Sequence, residues 1–154
     1  MSISIHPAAP PSEVEWEELL VRYELAPRAL RIALDDAEPG AEARTRIGDL
    51  LRALVVNELQ AAALFAAMRD GIPIRTERRI EMMTDDPRAA YERFAALRGR
   101  NFAAVQRRGL EVWGWRTEAP VWGSVTAHQL ILASTTLDAE TLAGVREALR
   151  GAAV

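Results

Sequence analysis

Apolar residues recur at steps of three and four over four long stretches of this chain, and the breaks between them carry proline, glycine and capping residues. In the first stretch Trp16, Leu19, Leu20, Tyr23, Leu30, Ala33 and Leu34 follow Ser12, which forms a capping-box pattern with Glu15. This predicts a helix over roughly Glu13–Leu34. Pro27 lies inside it, removing one backbone donor and crowding the carbonyl of Tyr23, so a kink is expected there. Residues 1–11 contain three prolines and no helical period, and read as a flexible arm.

The second stretch predicts a helix from about Glu42 to Asp70, stopped by Gly71 with Pro73 beyond. Ile47, Leu51, Leu54, Glu58, Ala61, Phe65 and Met68 form its stripe, in which Glu58 is the one charged member. Between Ala53 and Met68 the helix is apolar nearly all round, so it should be the most buried, yet too short and too polar at its centre to cross a bilayer. Residues 72–85 read as a connector with room for one helical turn near Ile80–Met83.

Asp86 and Pro87 then supply an N-cap and a first-turn proline for a third helix ending near Arg108, with Tyr91, Phe94, Leu97, Phe102 and Val105 inward. Leu110–Gly123, with Trp113, Trp115 and Trp122, reads as a loop packed by indoles. Thr126 and Gln129 form a second capping box, opening a helix to about Arg150 whose inner face would be Leu130, Ala133, Leu137, Val145 and Leu149. Ser134-Thr135-Thr136 could kink it. Four helices with one apolar face each predict an all-α, antiparallel up-and-down four-helix bundle in a single domain over residues 12–154.

Composition removes several chemistries. No cysteine is present, so there are no disulfides, thiolate metal sites or thiol nucleophiles. All 19 basic residues are arginine, which excludes a Schiff-base lysine and a phosphate loop of the GK[ST] form. A net charge of −3 argues against nucleic acid as a partner. The N-terminus lacks the pattern of a secretion signal, and the cytoplasm is the default expectation.

The segment Leu50-Leu51-Arg52-Ala53-Leu54-Val55-Val56-Asn57-Glu58 resembles the second-helix motif of the DinB/YfiT-like superfamily. Val121-Trp122-Gly123-Ser124-Val125-Thr126 is similar to that family's entry into its last helix, Leu130–Arg146 fits its final-helix pattern, and Ala26-Pro27-Arg28-Ala29-Leu30 fits its first. The resemblance implies a bundle that commonly dimerises and in many members holds a divalent metal through three histidines, in support of thiol-dependent transferase and isomerase chemistry. The corresponding positions are Ala53, Leu137 and Thr141, none a good ligand. No metal and no cofactor is therefore expected.

His128 points away from those positions and reads as a partly exposed surface or interface residue, while Asp138 and Glu140 read as solvated flanks of the inner face. Glu58 has two readings: a carboxylate held by an arginine, Tyr23 or an indole N–H, or a polar anchor or general base in a pocket between helices. Asn57, Glu58, Trp113 and Trp122 are the ligand-binding candidates. Arg93, Arg100 and Arg107, seven apart, read as a solvated face pairing with Glu17 and Glu24 of the first helix.

The expected function is a metal-free binding or interaction module, a homodimer through the second and fourth helices, with room for a small molecule between helices and no membrane partner. The alternatives are a metal- or thiol-dependent transferase or hydrolase and a stress-related nucleic-acid-associated protein.

Overall fold

A computed structural model describes residues 9–36, 38–71, 86–106, 112, 114–119 and 122–152. Four helices hold the chain: α1 (Glu13–Asp35), α2 (Ala41–Asp70), α3 (Pro87–Gln106) and α4 (Ala127–Ala152). A short hairpin of β1 (Arg116–Ala119) and β2 (Gly123–Thr126) precedes α4. The connector turn near Ile80–Met83, Arg107 and Trp113 lie outside the described residues, as does most of the predicted arm.

The helix ends follow their local signals. The Ser12 hydroxyl accepts from the Glu15 N–H and the Glu15 carboxylate accepts from the Ser12 N–H, both at 3.2 Å, closing the predicted capping box. Gly71 ends α2 in the left-handed conformation with φ 67°, and its N–H reaches the Ala67 carbonyl at 2.9 Å. Asp86 caps α3 through the Arg88 N–H at 3.2 Å. The Gln129 N–H bonds the Thr126 hydroxyl at 3.1 Å, and the Gln129 side chain bonds the Thr126 N–H at 2.9 Å.

Three expectations are corrected or decided here. The fourth helix runs unbroken through Ser134-Thr135-Thr136: the hydroxyls of Thr135 and Thr136 both fold back onto the Leu132 carbonyl at 3.0 Å. Part of the indole-rich loop is a hairpin whose second strand opens on Gly123 at φ 70°, a conformation that a side chain would strain. Four-residue strands are too short to show a readable alternation.

The third correction is topological. Asp35 pairs with Arg88 and Tyr91 donates to the Pro27 carbonyl, so α1 and α3 run antiparallel. Arg44 meets Asp86 near the start of both α2 and α3, and Asn101 meets Glu58 farther along both, so these two run parallel. Arg46 meets Glu147 while Asn57 meets Ser134, so α4 opposes α2. The helices therefore run up, down, down, up, and their order around the bundle is α1, α3, α2, α4. One long connection is the signature of such a bundle. Helix period and short loops reveal helices, but they do not say which neighbour a long connector allows.

By length and composition α2 is apolar enough to cross a membrane, contrary to the expectation that it is too short, yet half of its most apolar window is buried inside the bundle. Ile47, Leu51, Leu54, Ala61 and Phe65 are buried as its stripe requires, with Met68 partly covered. Two apolar clusters result. One gathers Trp16, Leu19, Leu64, Phe65, Val105, Leu130 and Ile131 with the hairpin, and the other gathers Leu30, Ile47, Leu51, Leu54, Phe94, Leu97 and Val145.

Candidate functional site: a buried polar layer

Where the four helices meet, polar side chains replace apolar ones. Tyr23 comes from α1, Asn57 and Glu58 from α2, Arg98 and Asn101 from α3, and Ser134 and Asp138 from α4, all buried. Arg98 is the hub. It is 1% exposed, between Glu58 at 0% and Asp138 at 6%.

A guanidinium carries five N–H donors, and taking them out of water costs several kcal/mol unless each is met. Here each is met. Nε donates to Glu58 Oε1 at 3.0 Å, and Nη2 donates to the same oxygen at 2.7 Å and to Asp138 Oδ1 at 2.8 Å. Nη1 donates to Asp138 Oδ2 at 2.7 Å and to the Tyr23 carbonyl at 2.8 Å. That last acceptor follows from the sequence. Pro27 has no N–H to give Tyr23 four residues earlier, so the carbonyl is free within α1, and the helix continues through the proline with Arg98 as the donor.

Glu58 is held on its other side as well. Asn101 donates to Oε2 at 2.8 Å and to the Glu58 backbone carbonyl at 3.0 Å, the Tyr23 hydroxyl donates to Oε2 at 3.4 Å, and Asn57 donates to Oε1 at 3.3 Å and to Ser134 at 3.2 Å. The Asn57 side-chain amide oxygen is buried without a hydrogen-bond partner among the described residues. The guanidinium also lies 4.1 Å from the centre of the Tyr23 ring and 5.0 Å from that of Phe94, so aromatic faces close the layer.

Two carboxylates on one guanidinium leave the layer with one net negative charge when both are ionised. Burial pushes the Asp138 carboxyl above its ordinary value; Arg98 opposes this and Glu58 adds to it. Burial and the Glu58 charge raise the Tyr23 phenol well above its usual range. Burial would lower Arg98, but Glu58 and Asp138 outweigh it and the guanidinium stays charged.

Of the two readings of Glu58, the structure shows the first: an arginine and Tyr23 hold it. Asn57 lies beside it. Trp122, half-buried, packs instead against the cluster next to the hairpin. Asp138 corrects the expectation of a solvated flank, because the inner face of α4 runs through Leu130, Ser134, Asp138, Thr141, Val145 and Ala148 while Ala133, Leu137 and Leu149 are only partly covered. Choosing apolar residues set the face about one position off; the centre of the bundle belongs to Arg98, and α4 turns its acceptor toward it. Glu140 is exposed as expected. A surface ion pair from α1 to α3 is Asp35–Arg88 at 2.7 Å, while Glu17, Glu24 and Arg100 are exposed and Arg93 is half-buried.

His128 is also more buried than expected, 8% exposed, with its ring edge-on to Trp16 at 6.2 Å between centres. Burial lowers its imidazole below the ordinary value, and the Glu15 charge offsets only part of this. The folded chain therefore prefers the neutral ring. The unfolded chain takes up a proton near pH 6.5 or so, so stability should fall as pH drops from there through the lowered folded value. His128→Gln should flatten that part of a melting-temperature profile between pH 7.5 and 5, and an unchanged slope would refute the assignment. Asp138 has the opposite sign and acts lower, since a raised carboxyl stabilises below its ordinary value and loses this as pH rises.

The three positions that the resemblance would make metal ligands are Ala53 and Leu137, both half-buried, and Thr141, buried, and their side chains offer no suitable donor set. Among the described residues no three His, Asp or Glu side chains gather as metal ligands require. No protein-family model matches the chain, and no curated protein is significantly similar to it.

Proposed function

We propose that this chain is a DinB/YfiT-like bundle that works without a metal, as a binding or interaction module whose contacts are made by its outer surface. The observation that carries this reading is the commitment of Glu58 and Asp138, the two acidic groups at the bundle centre, to Arg98. A general base or metal ligand needs a lone pair that can reach a proton or an ion. Here the carboxylates face a permanently charged guanidinium and are almost fully covered. The layer then serves specificity of packing, aligning four helices in one register.

Restoring the family's ligands tests both halves of the reading. Ala53→His, Leu137→His and Thr141→His together should create a Zn²⁺ or Ni²⁺ site, whereas the unaltered chain should neither retain nor respond to either ion. At free metal about 100 times the dissociation constant, linkage stabilises by roughly 2.7 kcal/mol, or a rise of about 5–10 °C in melting midpoint. The variant with metal must be compared with the variant without it, because three imidazoles disturb the apo core. A folded variant that ignores both ions would break the family alignment, and one tightly held metal in the unaltered chain would end the metal-free reading.

A further inference from the structure

The large apolar side chains left exposed among the described residues are Val14, Val21, Leu25 and Ile32 on α1 and Val56 on α2. This moves the excess apolar surface from the second and fourth helices, where the sequence placed it, to the first. At about 100° per residue, the four on α1 fall within roughly 40° of one another, a single outward stripe about 27 Å long. They are 47–63% exposed. The opposite face of the same helix is spent on the core, through Trp16, Leu19, Tyr23 and Leu30.

Charges beside the stripe are segregated along the helix. On one edge lie Glu13 and Glu17 in the first half and Arg28 and Arg31 in the second, all exposed, with Arg31 also 3.6 Å from Asp35. Glu24, in the middle of that edge, is one turn from Arg28. When two identical helices pack about a two-fold axis in antiparallel fashion, each edge meets the same edge of its mate in reverse order. Glu13 and Glu17 of one copy then face Arg31 and Arg28 of the other, twice over, while Val14 meets Ile32 and Val21 meets Leu25. In a parallel pair, opposite edges meet without reversal, and Glu17 approaches Glu18. Glu24 of the two copies meet near the two-fold axis, and a parallel pair would set Glu24 beside Arg22. The four Glu–Arg contacts of the antiparallel pair outnumber these, so the charge order selects the antiparallel form.

We propose that α1 is a self-association surface, its occupant the α1 of a second copy packed antiparallel. The inference rests on the interaction-module reading and deepens it by naming the partner. A single pair of helices is a small interface, so a roughly micromolar dissociation constant is expected.

Because the chain has no cysteine, single substitutions give clean cross-links. In the antiparallel pair, identical ends of the stripe are about 27 Å apart, far beyond the roughly 7 Å between Cα atoms that a disulfide tolerates. Val14→Cys alone and Ile32→Cys alone should stay uncross-linked under mild oxidation, whereas a mixture of the two, made in tagged and untagged forms, should give the mixed disulfide dimer. Sedimentation of the unaltered chain should show a concentration-dependent dimer, and Leu25→Glu, with an unchanged circular dichroism spectrum, should weaken it at least tenfold. Cross-linking by Val14→Cys alone would overturn the antiparallel arrangement. A monomer at every concentration, or a dimer indifferent to Leu25→Glu, would overturn the surface itself. Neither result touches the core, which the metal titration tests separately.

Discussion

Arg98→Met should destabilise the fold by about 3–5 kcal/mol, the usual cost of removing one partner from a buried ionic group. Methionine fills much of the volume but leaves Glu58 and Asp138 buried without their shared counter-ion, and returns the Tyr23 carbonyl to the unpaired state that Pro27 created. Urea unfolding at pH 7 measures it, with the midpoint falling and the slope unchanged. Lowering the pH should recover part of the loss as the stranded Asp138 carboxyl, already raised by burial, takes up a proton, a response that a simple packing defect would not show. Should Arg98→Met cost less than about 1 kcal/mol, the guanidinium would have to be solvated, contrary to its burial.

Replacing the whole triad, Glu58→Leu with Arg98→Met and Asp138→Leu, should return stability to within about 2 kcal/mol of the unaltered chain, or exceed it. The desolvation cost of three charges disappears with them, and apolar side chains continue the clusters on either side. Some cost remains. Tyr23 loses its acceptor, whereas Asn101 keeps the Glu58 backbone carbonyl. A triple variant that is less stable than Arg98→Met alone would show that the layer contributes net stability rather than register. If the layer aligns helices and does no chemistry, a well-folded triple variant should also dimerise as the unaltered chain does. Loss of dimerisation from a cooperatively folded triple variant would connect the core to the surface and weaken the division drawn between them.

The triad was half legible. Glu58 stands out in the sequence because a carboxylate interrupts an otherwise apolar stripe. Arg98 does not stand out, since one arginine among several on α3 looks like its solvated neighbours, and its place beside Phe94, Leu97 and Asn101 emerges only when that face is known to be inward. A signal was available in Pro27, which frees the Tyr23 carbonyl and so calls for a donor from another helix. Asp138 was missed because apolar periodicity assigns the inner face by counting apolar residues, and a buried ion pair violates the rule it counts on.

The sequence by itself determined the local structure: the four helices, the capping boxes at Ser12 and Thr126, the stop at Gly71, the start at Pro87 and the apolar stripe of α2, since each depends on residues within a turn or two of one another. Tertiary structure alone decided what depends on distant neighbours. The parallel run of α2 and α3, the turn of α4 that brings Asp138 to Arg98, and the exposure of Val14, Val21, Leu25 and Ile32 are all such outcomes. The physical reason is the same in each case: helix period tells which residues share a face, but only the packed partners, through burial and the pairing of charges, tell which face turns inward.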